Sequence, residues 1–180
     1  MSVGCVILAA GTGTRMKSAT PKIFQEIAGK PIIRYVIDAC RSAGLQEMIL
    51  VIPPNLEGHG LFVNTKTVVQ TSPLGTANAV LEAIPFLKTE YTIITCGDIP
   101  LIARQHLQLL LENRADVSLI AMRISAEFNH MPYGRVITNS DEFQKIVEYK
   151  NATVEEKKCG IANSGVYTIK TKLLTKYLLD

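Results

Sequence analysis

Tryptophan is absent from these 180 residues, and only 6% are aromatic. Stacking platforms for single-stranded nucleic acid need several exposed rings, so the chain is a poor candidate for one. Charge of one sign is scarce too: 19 basic and 16 acidic side chains leave a formal net charge of +3, with no basic run. A duplex-binding footprint needs a clustered excess, so no nucleic acid partner is expected. The four cysteines, Cys5, Cys40, Cys96 and Cys159, form no C-x-x-C pair. That excludes the common zinc and redox-dithiol spacings. It points to a reducing, cytoplasmic setting. Cys5 and Cys96 lie in apolar runs and read as small core residues. No apolar stretch reaches membrane-spanning length, and no charged leader precedes the first apolar run, so no membrane partner is expected either.

Two familiar phosphate loops are missing as well. No Gly-Lys-Ser/Thr occurs, which excludes a P-loop. After Gly11 and Gly13, Met16 stands where the dinucleotide fingerprint needs its third glycine. What is there instead is Leu8-Ala9-Ala10-Gly11-Thr12-Gly13-Thr14-Arg15-Met16, with Pro21-Lys22 soon after. The apolar run over residues 3–9 reads as a buried parallel strand. It empties into a loop whose glycines let a ligand approach the main chain closely. Successive backbone N–H groups in such a loop make a concavity for an anion. Arg15 and Lys22 add full positive charge. The expected ligand is a polyphosphate at the carboxyl end of the first strand. A tight glycine turn with solvated basic residues is the bland alternative; the length of the string argues against it.

Strand and helix patterns then alternate. Helices are predicted over 32–42, 76–86 and 104–113, and strands over 48–52, 67–70, 92–96 and 117–124. This order predicts an α/β fold, a mostly parallel sheet with helices on both faces. From about residue 125 the pattern changes. Strands at 133–137, 143–149 and 162–169 follow without helices between them. They predict a mixed or antiparallel extension that forms a lid. Residues 171–179 begin a helix that the chain end cuts off. The chain reads as one domain, 1–180, truncated at its C-terminus.

A second motif, Gly97-Asp98-Ile99-Pro100, directly follows a strand. Ligands of open α/β sheets bind outside the carboxyl ends of the strands. A carboxylate there, facing a phosphate loop, needs a cation between the two anions, and Mg²⁺ suits carboxylate plus phosphate oxygens. Alone, Asp98 could equally make an Asx turn before Pro100. Gln70 ends a short strand, and Gly75-Thr76 opens a helix. A side-chain amide can meet both a donor and an acceptor on a base edge. From the lid come Gly134, Glu148 and Asn163, a close-approach glycine, a carboxylate and an amide, as a sugar with several hydroxyls requires. Without further context Arg135 and Glu148 read as solvated surface residues. His59, His106 and His130 read as surface positions without partners, and no Ser-His-Asp or Cys-His set is evident.

The string L-A-A-G-x-G-T-R-M with P-K resembles the signature of the sugar-1-phosphate nucleotidyltransferases. With V-x-Q, L-G-T, G-D-x-P-L-I, Y-G-R, I-V-E-x-K-x-A-T and N-S-G, the chain from residue 3 onward resembles the N-acetylglucosamine-1-phosphate uridylyltransferases. These form the N-terminal half of bifunctional bacterial proteins that also acetylate glucosamine-1-phosphate. The resemblance implies a Rossmann-like nucleotide-diphospho-sugar transferase fold. It implies a reaction of UTP with N-acetylglucosamine-1-phosphate. It places Leu8, Ala9, Ala10, Gly11, Gly13, Gln70, Gly75 and Thr76 around the nucleotide. Arg15 and Lys22 would carry the phosphates and catalysis, Asp98 would bind Mg²⁺, and Gly134, Glu148 and Asn163 would hold the sugar. Another sugar- or alcohol-phosphate nucleotidyltransferase, or a catalytically weak nucleotide-binding module, is the alternative.

The sequence departs from the family pattern at Pro73, Asn78 and Cys96, where a glutamine, a histidine and an aromatic residue are usual. The segment from 53 to 66 looks shortened. The family takes a second metal ligand, an asparagine, from beyond this chain's end. The acetyltransferase half, through which a homo-oligomer would form, is also missing.

Overall fold

Runs of aliphatic and β-branched residues, apolar on every position, build strands that must be covered on two sides. In the computed structural model, which describes residues 2–11, 13, 16, 18, 20–62, 64–113, 115–140 and 142–179, they are. The chain divides into two compact units, residues 1–118 with 167–180 and residues 119–166.

In the first unit, β1 (Val3–Leu8), β4 (Met48–Ile52), β5 (Lys66–Val69) and β6 (Tyr91–Cys96) form a parallel sheet in the order β5-β4-β1-β6. Cys5 lies opposite Met48 on one side and Ile93 on the other. The last residues of β10 (Ile161–Lys170) run antiparallel to β6, with Tyr167 opposite Ile94 and Lys170 opposite Tyr91. A small hairpin, β2 (Glu26–Ile27) with β3 (Lys30–Pro31), stands apart from this sheet. Helices α1 (Ile32–Ser42), α2 (Thr76–Ala83), α3 (Arg104–Glu112) and α5 (Thr171–Leu179) complete the unit. Val6, Ile49 and Val51 pack on Ala79 and Ala83 of α2. Ile94 packs on Val80 and on Leu174 of α5. Successive strand residues face opposite ways. Cys5, next to Val6, therefore looks to the other face, where its Sγ lies 3.7 Å from that of Cys40 on α1. Both faces are covered, as the alternating pattern requires.

The second unit is built differently. β8 (Arg135–Asn139) and β9 (Glu142–Val147) form an antiparallel hairpin whose register slips between Ile137 and Thr138. Ala162 of β10 pairs with Arg135. The Ser164 hydroxyl of β10 donates to the Ile120 carbonyl of β7 (Val117–Arg123). A one-turn helix, α4 (Val154–Lys157), interrupts the run of strands. No helix was expected here. The signal was present: Thr153 accepts from the Glu156 N–H at 3.2 Å, and Glu156 Oε2 accepts from the Thr153 N–H at 2.8 Å. That is a capping box, legible as Thr-x-x-Glu.

Two boundaries moved for identifiable reasons. The helix expected over 76–86 ends at Ala83 and tightens into a 3₁₀ turn, Ile84–Phe86. Pro85 supplies no N–H and disfavours helical backbone before it. β1 ends at Leu8, one residue early, although the Ala9 N–H still donates to the Val51 carbonyl at 2.8 Å.

Candidate functional site

The first unit holds a cavity of about 330 Å³ at the carboxyl ends of β1 and β6. Leu8, Ala9, Ala10 and Gly11 form one wall, Gln70, Pro73, Gly75, Thr76 and Ala79 another. Lys22, Ile23, Cys96 and Asp98 complete it. Nine of the residues expected to bind nucleotide, phosphate or metal thus share one hollow: Leu8, Ala9, Ala10, Gly11, Lys22, Gln70, Gly75, Thr76 and Asp98. Arg15 lies outside the described residues, so no position is assigned to it.

Glycine is required here at identifiable places. Gly13 has φ +61, and a Cβ on it would lie 2.9 Å from Lys22 Cβ. Its bare backbone lets Lys22 stand against the loop. Gly75, at φ +113, precedes α2 in a conformation that side chains rarely adopt. Gly11 is different. A Cβ there would meet nothing within 4 Å among the described residues, so none of these demands glycine at this position.

Lys22 Nζ donates to Asp98 Oδ2 at 2.5 Å, with both side chains about one-third exposed. The two residues are 76 positions apart in sequence, and the fold joins the first loop to the second motif through this pair. Gly97 holds its end of β6 by donating to the Leu8 carbonyl at 2.8 Å. Among the described residues no group of three or more His, Cys, Asp and Glu could hold a metal ion. Asp98 offers a single carboxylate. That is a poor donor set for Zn²⁺ or Ca²⁺ but fits Mg²⁺, which takes one or two carboxylates and completes its shell with phosphate and water oxygens.

Gln70 is only 5% exposed. Its Nε2 donates to Asn78 Oδ1 at 2.7 Å and to the Gly75 carbonyl at 3.4 Å. Asn78 belongs to the first turn of α2; in the sequence it stood out only as a departure from the family pattern, not as a partner of Gln70. Cys96 is corrected: it is not sealed in the core but lines the cavity, because it is the last residue of β6, where the sheet opens. Burial, then the Asp98 carboxylate, pushes its thiol up to about 11, while the Lys22 ammonium pulls the other way. The thiol is protonated at neutral pH and is no nucleophile there. Pro73 and Cys96, two of the three family departures, line the cavity; the third, Asn78, holds Gln70.

Within the second unit Gly134, Glu148 and Asn163 come together. The Asn163 N–H donates to the Gly134 carbonyl at 2.9 Å. A Cβ on Gly134 would lie 3.6 Å from Glu148 Oε1. Glu148 is exposed, as expected. Arg135 is not. It is fully buried and donates to the carbonyls of Asn129, Met131, Tyr133 and Lys157, with its guanidinium 5.0 Å from the Tyr149 ring centre. Its fork serves three carbonyls of the irregular segment before β8 and one at the end of α4. His59 and His130 are exposed, as expected, but two of the histidines have partners. His59 stacks on Phe24 at 4.6 Å, and His106 Nδ1 accepts from the Ala103 N–H at the start of α3. Neither lines the cavity.

The profile of the MobA-like NTP transferase domain matches residues 5–156. The chain belongs to this family of nucleotidyltransferases. Among curated proteins it is 37% identical over 187 residues to the bifunctional protein GlmU of Pseudomonas paraeruginosa, covering 99% of this chain and 40% of that protein. It is also 37% identical over 177 residues to GlmU of Carboxydothermus hydrogenoformans, again covering 40% of the relative. The chain therefore spans about 40% of the length of these relatives. The resemblance read from the motifs and the curated relatives agree. A solved structure, "Crystal Structure of a Putative Glucose-1-Phosphate Thymidylyltransferase from Bacillus anthracis", superposes with a TM-score of 0.76 at 16% identity, over 97% of this chain and 74% of that one. That likeness establishes the fold, α/β with a parallel core and a mixed sheet. No helix among the described residues is long and apolar enough to cross a membrane.

Proposed function

We propose that this MobA-like NTP transferase domain transfers the uridylyl group of UTP to N-acetylglucosamine-1-phosphate, releasing pyrophosphate. The observation that carries the reading is the Lys22–Asp98 pair in a cavity walled by Ala10, Gly11 and Gln70. It sets a cation and a metal-type carboxylate side by side, where a triphosphate on the glycine loop would arrive. Gly11 supports it further. Neither a positive φ nor packing against the described residues calls for glycine there, which is consistent with the close approach of a ligand.

In this reading the main chain of Ala10 and Gly11, with Gln70, Gly75 and Thr76, holds uracil. Lys22 and Arg15 hold phosphate oxygens. Asp98 holds Mg²⁺, which when bound neutralises charge on the triphosphate. Gly134, Glu148 and Asn163 hold the sugar. A phosphate oxygen of the sugar phosphate forms a bond to the α-phosphorus. The bond from that phosphorus to the bridging oxygen breaks, and pyrophosphate leaves with the electron pair. The attacking oxygen is already ionised, so no general base is needed. Catalysis is positioning and charge neutralisation. With Mg²⁺ and a triphosphate bound, Asp98 would hold the metal and Lys22, now its ion-pair partner, would hold a phosphate oxygen.

Pyrophosphate release over a matrix of nucleoside triphosphates and sugar phosphates tests the proposal. Release with UTP and N-acetylglucosamine-1-phosphate above all other pairs is expected. A different best pair reassigns the substrate. Nucleotide binding with no release for any pair makes the domain a binding module.

A further inference from the structure

We propose that His59 is a positioning residue: its ring, stacked on Phe24, fixes the rotation of the one-turn helix that aims Lys22 at Asp98. The inference rests on the reading that Lys22 meets a triphosphate, and it brings in a residue from outside the cavity.

Lys22 rides on a weak element, the 3₁₀ turn Lys22–Phe24. There the Phe24 N–H donates to the Pro21 carbonyl at 2.9 Å, and the Gln25 N–H to the Lys22 carbonyl at 3.2 Å. A single turn has no stability of its own, so side chains must hold it. At three residues per turn, its three side chains leave about 120° apart. Lys22 reaches Asp98, and Ile23 is buried. The third, Phe24, lies on the His59 ring, with centroids 4.6 Å apart and planes inclined by 25°. Any rotation that swings Lys22 off Asp98 also pulls Phe24 off this stack. The Phe24 ring is therefore a handle on the lysine.

The surface that grips the handle is itself fixed. The His59 N–H donates to the Leu56 carbonyl at 3.2 Å, and its carbonyl accepts from the Phe62 N–H at 3.0 Å. Its Nδ1 accepts from the Leu61 N–H at 3.2 Å, which holds the imidazole in one orientation. Leu56 and Phe62 are buried and anchor the segment on either side. The Phe62 ring closes the group, 5.7 Å from His59 and 5.9 Å from Phe24. His59 is exposed and does not line the cavity. It acts on Lys22 only through Phe24. A small misplacement of a charge that must meet a phosphate oxygen costs most in the transition state.

Three variants separate the ring from the loop that carries it. His59→Asn keeps an acceptor for the Leu61 N–H but has no ring. His59→Phe keeps the ring and drops the acceptor. Phe24→Leu removes the stack from its other side and replaces His59→Asn if that chain does not fold. The position of Lys22 is read without ligand, by trace acetylation of the whole chain with acetic anhydride and mass spectrometry, the other lysines serving as reference. Lys22 should be labelled at least about threefold faster in His59→Asn than in the parent, as its amine leaves the ion pair, and within about twofold of the parent in His59→Phe. Pyrophosphate release from UTP should fall at least about fivefold in kcat in His59→Asn, with the KM for the sugar phosphate unmoved, and His59→Phe should restore it. In a Lys22→Ala chain, His59→Asn should cost less than about twofold more, because the handle then turns nothing. Equal labelling in the parent and His59→Asn overturns the proposal. So does a His59→Phe chain that behaves like His59→Asn, or a full further loss on top of Lys22→Ala. The expected labelling without release from any substrate pair sinks the transferase reading and leaves the positioning role standing. Release with unmoved labelling does the reverse.

Discussion

Two basic side chains, one in each unit, have opposite fates. Lys22 sits at the rim of the cavity, about one-third exposed and opposite one carboxylate. Arg135 is fully buried, and its donors are spent on main-chain carbonyls. Both stand in short motifs of the family resemblance, P-K and Y-G-R. Their surroundings differ. Lys22 follows a loop at the carboxyl end of a parallel sheet, where the fold leaves room for a ligand. Arg135 opens a strand after an irregular stretch, where carbonyls need donors. A charge available to a ligand and a charge that completes the architecture should answer differently to mutation.

The largest effect is expected at Arg135. Replacing it with Met keeps bulk but takes the side-chain donor from the carbonyls of Asn129, Met131, Tyr133 and Lys157. These residues are only partly buried or exposed, so water can replace some of the lost bonds, and the loss should be about 2–3 kcal/mol. Urea melts would read it. A variant within about 1 kcal/mol of the parent would show that the carbonyls find other donors, and Arg135 would become a candidate for ligand binding.

Asp98→Asn should do the opposite. Its partner Lys22 is exposed enough for water to replace the ion pair, so the melting curve should barely move. Turnover should fall more than tenfold, at least about 1.4 kcal/mol of transition-state stabilisation. Unchanged turnover with unchanged Mg²⁺ dependence would remove Asp98 from the metal role. A large stability loss would make the pair architectural, like Arg135.

How far all this was legible follows the same division. Residues 8–11 and 98 could be placed because they follow strands of a parallel sheet, whose carboxyl ends mark where a ligand goes, whereas residues 70 and 75–76 became candidates only through the family resemblance. Cys96 was misread because apolar periodicity cannot tell the last residue of a strand from its interior. Asn78 was marked only as a departure from the family pattern, because its bond to Gln70 exists only once the 70–75 loop has turned back on α2. In the second unit the strands were found but α4 was missed, and Arg135 looked solvated. Nothing in a single sequence marks an arginine whose partners are main-chain carbonyls, since those partners have no residue identity.

Glu148→Ala sharpens the comparison from the other side. Glu148 is the exposed carboxylate of the second unit and lies close to Gly134. If that cluster holds the sugar, its loss should raise the KM for the sugar phosphate severalfold, about 1 kcal/mol for one hydrogen-bonding group. UTP affinity should stay put. Weakened UTP binding with normal sugar use would reassign the cluster to the nucleotide.

The smallest expected effect belongs to Glu156, and it is one of pH. Lys145 Nζ lies 2.7 Å from Glu156 Oε1, and the Thr153 N–H donates to Oε2. The Lys145 contact first, then the Thr153 backbone bond, hold the Glu156 carboxyl down to about 2. A carboxylate whose folded pKa lies below its unfolded value stabilises the fold above the unfolded pKa. That contribution fades as pH falls from the ordinary glutamate range toward 2. Glu156→Gln removes the charge but keeps an oxygen for the Thr153 N–H, so it isolates the Lys145 term. The variant should melt slightly below the parent at pH 6, and the gap should close between pH 4.5 and pH 2.5. Because the pair sits at the surface, salt should also narrow the gap at pH 6. A gap of equal size at pH 6 and pH 2.5 would mean that the glutamine disturbs the capping box itself. The helix α4 would then depend on Glu156 for its shape and not for its charge.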